Sequence, residues 1–181
     1  MTTIPNILTI TRILTAPVIV LLAAMDGQAG SYSATAVFIA AAVTDWFDGF
    51  LARRLEQESV LGAILDPIAD KIQVCVTLIV LLWLGSLPDW NLIPAVAILG
   101  REIFISGLRE GMAGKDVPRL TSSYAAKSKT FVQMTALAIL LTGSLLGEWV
   151  PLVGCALLWI AAFLSVWTGL SYLRTALSTL K

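Results

Sequence analysis

The 181-residue chain has no histidine, which removes the commonest general base and the commonest transition-metal ligand. Acid-base chemistry is left to carboxylates, lysine or tyrosine. Charge is scarce: 13% of residues are Asp, Glu, Lys or Arg and 57% are hydrophobic, against about 25% charged in soluble domains. An ordinary soluble protein is excluded. Twelve Lys and Arg balance twelve Asp and Glu, so there is no basic excess for nucleic acid and no charged tail. The two cysteines, Cys75 and Cys155, lie in apolar runs without the close pairing of a zinc site or a disulfide framework. They read as buried spacers, because free cysteine behaves as a small hydrophobe.

What the chain has instead is apolar length. A bilayer core about 30 Å thick takes about 20 helical residues to cross. Six such stretches are present, at 7–25, 32–54, 60–84, 91–112, 124–146 and 151–174. Turns are expected at Asp26 to Ser31 with two glycines, at Gly85 to Trp90 with Pro88, and at Gly147 to Pro151. These spans predict an all-α integral membrane protein of six transmembrane helices forming one domain over 1–181, with no room for a second, soluble one. The breaks near 26–31, 85–90 and 147–150 lack Lys and Arg, whereas Arg53, Arg54, Lys115, Arg119, Arg174 and Lys181 sit at the opposite ends. The positive-inside rule then puts both termini in the cytoplasm. Trp83, Trp90 and Trp149 fall at outer boundaries, where indole rings favour the interface. The first stretch has no positive residue ahead of it and contains Arg12 and Pro17. It reads as a helix of the mature protein rather than a cleaved signal.

The aspartates are concentrated. Four of seven, Asp45, Asp48, Asp66 and Asp70, fall within 26 residues of the second and third helices. Asp45, Asp48, Gly49 and Ala52 follow helical spacing, as do Gly62, Asp66 and Asp70, so each helix carries one stripe of acids and small residues. Joined by the polar segment from Arg54 to Ser59, the two helices are antiparallel neighbours whose stripes can face each other. An aspartate at a membrane-helix centre costs about 2.5–3.5 kcal/mol on insertion scales, so four demand compensation. Arg53 and Lys71 supply at most two positive charges. One or two divalent cations would complete the balance, and all-oxygen ligands select hard ions such as Mg²⁺, Mn²⁺ or Ca²⁺. The competing readings are interhelical salt bridges, or a cation or proton pathway in a transporter.

A second cluster is basic. Arg101 lies near the middle of the fourth helix, Arg109 near its cytoplasmic end, Arg119 in the following loop, and Lys127 and Lys129 at the start of the fifth. They can bind a phosphate-bearing substrate. Alternatively Arg119 and Lys129 reach out to lipid headgroups, or Glu102 and Glu110 pair locally with the arginines.

The stretch Asp45-Trp-Phe-Asp48-Gly49-Phe-Leu-Ala52-Arg53, eight residues, then Gly62-Ala-Ile-Leu-Asp66-Pro-Ile-Ala-Asp70 resembles the signature of the CDP-alcohol phosphotransferase family, D-x2-D-G-x2-A-R-x8-G-x3-D-x3-D. All eight defining positions match. The resemblance implies homodimeric enzymes of six transmembrane helices that transfer a phosphatidyl or similar group from a CDP-linked donor to an alcohol and release CMP. By position it implies that Asp45, Asp48, Asp66 and Asp70 hold two ions, Mg²⁺ or Mn²⁺, with Asp70 also the general base. Gly49, Ala52, Arg53 and Gly62 would shape the donor pocket with Asp45, Asp48 and Asp66.

The segments Arg101-Glu-Ile-Phe-Ile-Ser-Gly-Leu-Arg109 and Lys127-Ser-Lys129, with the opening Ile4-Pro-Asn6-Ile-Leu-Thr-Ile-Thr-Arg12, resemble the phosphatidylglycerophosphate synthase branch of that family. That branch implies CDP-diacylglycerol as donor, sn-glycerol 3-phosphate as acceptor held by Arg101, Arg109 and Lys127, and a bacterial plasma membrane with the active site facing the cytoplasm. It assigns no role to Asn6, Arg12, Arg119 or Lys129. Other branches take inositol phosphate, phosphatidylglycerol or serine as acceptor.

The orientation is testable with single cysteines at Ser59 and Ser86 in a background lacking Cys75 and Cys155. An impermeant thiol reagent added to intact cells is expected to label position 86 and spare position 59; the reverse pattern would invert the topology.

Overall fold

The computed structural model describes residues 4–25, 27–55, 60–87, 89–112 and 124–179; within these, the side chains of 4–8, 46–55, 60, 61, 63, 124–127, 144, 145 and 179 fall outside the description. The described residues form six α-helices and two short 3₁₀ turns, with no strand: α1 Ile4–Ala23, α2 Gln28–Leu55, α3 Val60–Trp83, α4 Leu92–Gly111, α5 Tyr124–Thr142 and α6 Trp149–Thr179. Each helix coincides with one apolar stretch of the sequence to within a few residues. The ends are set by glycine. Gly27, Gly85 and Gly143 take φ of +84°, +68° and +63°, a left-handed conformation open to glycine at little steric cost. The turn expected over Asp26 to Ser31 is shorter than that, because α2 already begins at Gln28 and Gly30 lies inside it. A Cβ on Gly30 would collide with the backbone carbonyls of Met25 and Leu22, so glycine serves there for close approach rather than for turning.

Two compact units are present. One comprises Met1–Ser86 with Ala138–Pro151, and the other Leu87–Leu137 with Leu152–Lys181. In the first, α1 packs against both α2 and α3. Among the described side chains of α1 the buried ones are Thr9, Arg12, Ala16, Ile19 and Ala23, a spacing of three and four that keeps one stripe turned inward. Ala34 and Phe38 of α2 and Leu78 of α3 are buried as well; the first part of the α1 stripe, Thr9 and Arg12, is polar. In the second unit the buried stripe of α5 likewise begins with Lys129 and Gln133 before Ala136 and Leu137.

The surface is more apolar than that of a soluble domain, and the interior holds polar groups beside its apolar core. Arg12, Gln73, Thr77, Lys129, Gln133, Ser165 and Thr168 are buried, while Leu21, Ile103, Phe131, Leu152, Phe163 and Trp167 are exposed. Apolar surface on this scale marks contact with something other than water. Asp89–Gly111 and Trp149–Ser178 are each long and apolar enough to cross a membrane. Trp83, Trp90 and Trp149 are exposed near helix ends. Neither cysteine is the buried spacer expected from sequence: Cys75 and Cys155 are both half-buried and outside any disulfide, because α3 and α6 turn part of those faces outward.

Gly30→Ala is expected to lower thermal stability in detergent by about 1–3 kcal/mol, the usual cost of overpacking, since backbone carbonyls cannot move aside. Gly100→Ala, with nothing within 4 Å of the added Cβ, is expected to be neutral or to gain up to about 1 kcal/mol. Equal melting temperatures for the two variants would refute the packing role of Gly30.

Candidate active site

The acidic cluster lies in the first unit, where α1, α2 and α3 meet. Asp66 and Asp70 stand one turn apart on α3, and Asp45 lies on α2. The feature that joins them comes from α1. The Arg12 guanidinium donates through Nη1 to Asp70 Oδ1 at 2.5 Å, and its Nη2 pairs with Asp45 Oδ1. One turn earlier, Thr9 Oγ1 donates to Asp66 Oδ1 at 2.5 Å. Thus Thr9 and Arg12, on the inward stripe of α1, hold three of the four signature aspartates. Asp48, Gly49, Ala52 and Arg53 lie on α2, but their side chains are outside the described residues. Gly62 is buried near the start of α3.

Exposure divides this cluster. Arg12 is 3% exposed, whereas the Asp45 and Asp70 side chains are 44% and 59% exposed. The cation sits behind and the carboxylates face out. Two carboxylates share one guanidinium and Asp66 has a neutral hydroxyl, so negative charge stays in excess at the open side. Oxygen donors with surplus negative charge suit a hard divalent ion. The residues present therefore fit the metal that the sequence pattern implies, although the described residues alone do not make a complete ligand group.

The basic cluster lies in the second unit, on α4, α5 and α6. Arg101 Nη1 pairs with Glu102 at 3.1 Å, Nε donates to the Ser165 carbonyl at 3.2 Å, and Nη2 reaches Thr168 Oγ1 at 3.4 Å. Lys129 Nζ donates to the same Glu102 oxygen at 2.5 Å. Gly169 permits this arrangement, because a Cβ there would come within 3.2 Å of Arg101 Cγ. Lys129, read from sequence as a phosphate ligand or as reaching to headgroups, instead pairs inside with Glu102 and is 6% exposed. Glu102 is the local partner for Arg101, while Glu110 is exposed. Arg109 is also exposed: its Nη2 donates to Tyr172 Oη at 2.9 Å, and the guanidinium lies 5.0 Å from the Tyr172 ring centre. Lys127 is on α5 with its side chain outside the described residues, as is the whole of Arg119.

Sequence reading missed Thr9, Arg12 and Tyr172 as parts of these clusters. A signal for Arg12 existed. Thr9, Arg12, Ala16, Ile19 and Ala23 form a helical stripe of mostly small residues, which places the charge on the packed face. Tyr172 had none, since its partner lies 63 residues away.

An all-helical protein with apolar exteriors and a carboxylate cluster on two adjacent helices defines a class of membrane-type helical proteins with an oxygen-donor site. Comparison with known proteins specifies the family. A model of the CDP-alcohol phosphatidyltransferase family matches residues 2–167, and the chain belongs to that family. Among its relatives, the CDP-diacylglycerol--glycerol-3-phosphate 3-phosphatidyltransferase of Pseudomonas fluorescens is 45% identical over 98% of this chain and 92% of its own length. Proteins of the same description from Cereibacter sphaeroides and Escherichia coli are 40% and 41% identical, covering 98% and 96% of this chain and 97% and 94% of theirs. The match crosses both compact units.

Glu102→Gln would leave two cations sharing no anion in a largely buried site, and breaking a buried pair costs about 3–5 kcal/mol. A marked drop in melting temperature is expected, partly recovered in the double variant with Lys129→Met, which removes a cation with the anion. Additive losses in the double-mutant cycle would show that Glu102 and Lys129 do not depend on each other.

Proposed function

We propose that this enzyme transfers the phosphatidyl group of CDP-diacylglycerol to sn-glycerol 3-phosphate, giving phosphatidylglycerophosphate and CMP. The observation that carries the reading is the convergence of Asp45, Asp66 and Asp70, from two helices, on Thr9 and Arg12, in a chain whose relatives of nearly equal length bear the name of that activity.

The acceptor hydroxyl attacks the lipid-side phosphorus of the diphosphate. A new P–O bond forms, the bond to CMP breaks, and the Asp70 carboxylate takes the hydroxyl proton. Asp70 is exposed enough to reach a substrate. Asp45, Asp48, Asp66 and Asp70 hold divalent cations, Mg²⁺ or Mn²⁺ and two in number, which when bound neutralise charge on the diphosphate and on the leaving CMP. Gly49, Ala52 and Gly62 leave room for the nucleotide, and Arg53 pairs with phosphate oxygens.

Arg101, Arg109 and Lys127 bind the acceptor phosphate. The excess of positive charge supports this, since Arg101 and Lys129 share Glu102 as their anion while Arg109 is exposed beside Tyr172. The six helices span the membrane with both termini cytoplasmic, as a single catalytic domain in a homodimer. This places the soluble acceptor and CMP on the cytoplasmic side of a bacterial plasma membrane while the acyl chains stay in the leaflet.

CMP release from CDP-diacylglycerol in detergent tests the reading. It should depend on sn-glycerol 3-phosphate, be very low with glycerol or serine, and vanish in chelator. Asp45→Asn, Asp66→Asn and Asp70→Asn are each expected to collapse turnover. Full activity of Asp70→Asn would remove the proposed base, and a preference for inositol phosphate or phosphatidylglycerol would move the protein to another branch. Losing one charge-assisted bond of about 1.5–3 kcal/mol corresponds to roughly 10- to 150-fold, so Arg109→Gln should raise the acceptor KM by that order with little change in melting temperature. Arg101→Gln should raise the KM and also lower stability, because Arg101 ties α4 to α6. An unchanged acceptor KM in both would assign these arginines to structure alone.

A further inference from the structure

Arg12 is a charged group that neither the signature nor the reaction uses. It is 3% exposed, on the packed stripe of α1, and its two terminal nitrogens go to different helices, one to Asp45 of α2 and one to Asp70 of α3. This is not the bidentate fork of arginine on one carboxylate, its stronger arrangement. It is a bridge, and Nε is buried without a partner among the described residues. The guanidinium therefore stands where two carboxylates would otherwise repel each other, while leaving part of its own donor capacity unused. Asp66 is held differently, by the neutral Thr9 hydroxyl.

We propose that Arg12 is a positioning residue, an internal counter-ion that holds Asp45 and Asp70 together until a divalent cation takes its place. The inference rests on the metal-binding reading of the aspartates given above. Asp45 and Asp70 are reachable from outside whereas Arg12 is not, so an arriving ion meets the carboxylates on the face opposite the guanidinium. The two cations then compete for the charge of the same two carboxylates, and like charges a few ångströms apart repel. In the metal-free protein Arg12 keeps the carboxylates gathered, and with them the packing of α1 on α2 and α3. In the metal-bound protein the ion does that work.

The test is made without substrate, on purified protein in nanodiscs, by Mn²⁺ titration followed by electron paramagnetic resonance and by melting temperature in chelator and at saturating Mn²⁺. Arg12→Gln is expected to bind Mn²⁺ about tenfold more tightly than wild type, equivalent to about 1.4 kcal/mol. It is also expected to melt well below wild type in chelator, with the gap closing when Mn²⁺ is bound. Folding of Arg12→Gln only when Mn²⁺ is present would be the same result in its extreme form. Arg12→Lys, which keeps a charge but cannot bridge two helices equally, is expected to fall between the two in both measurements. Weaker Mn²⁺ binding by either variant, or a melting deficit unchanged by Mn²⁺, would overturn the proposal. Asp66→Asn separates the two readings, because it touches Thr9 and not Arg12. Reduced Mn²⁺ affinity in Asp66→Asn with no gain in Arg12→Gln refutes the counter-ion role alone. Unchanged affinity in Asp66→Asn refutes the metal reading, and the counter-ion role with it.

Discussion

Carboxylates on separate helices in an apolar setting repel each other, and their approach requires a cation they can share. In the first unit that cation is Arg12 of α1, which pairs with Asp45 of α2 and Asp70 of α3. The guanidinium lies deep, joining α1 to two helices at once, and the carboxylates lie shallow: 3% exposure for Arg12 against 44% and 59% for the two acids.

The second unit solves the opposite problem with one anion. Glu102 accepts from Arg101 and Lys129 through the same oxygen, and Arg101 spends its remaining nitrogens on the Ser165 carbonyl and the Thr168 hydroxyl. Each unit thus holds a three-membered ionic set with one charge in excess, negative and half-exposed in the first, positive and mostly buried in the second. A metal ion suits the first surplus and a phosphate the second. A chain with a formal net charge of zero can still carry two sites of opposite sign, provided that each set is kept incomplete.

How much of this was legible depends on the range of the interaction. The six helices were, because an apolar run of about 20 residues ended by glycine is a local pattern. The aspartate stripes were too, since Asp66 and Asp70, or Asp45 and Asp48, are related by helical spacing. The partners were not. Arg12 meets Asp70 across 58 residues and Lys129 meets Glu102 across 27, and no periodicity encodes such meetings. A lysine near a helix end looks the same in sequence whether it reaches out to headgroups or pairs inside. Only packing distinguishes the two. Gly30 shows the same limit, because a glycine after a turn and a glycine pressed against carbonyls share one letter.

The apolar surface explains why these sets can exist in so small a protein. A soluble domain of this length must spend its apolar residues on a core. Here Leu21, Ile103, Phe131 and Trp167 face outward, and the interior holds Arg12, Gln73, Lys129 and Gln133 beside its apolar residues. Outward apolar side chains are satisfied by lipid, which relieves the helices of the need to bury them against one another. Beside the buried apolar residues such as Ile19, Phe38, Leu78 and Leu137, the ionic sets add contacts that depend on direction and partner. They tie particular faces of the helices together, and they leave on each set a surplus of charge that suits a ligand of opposite sign.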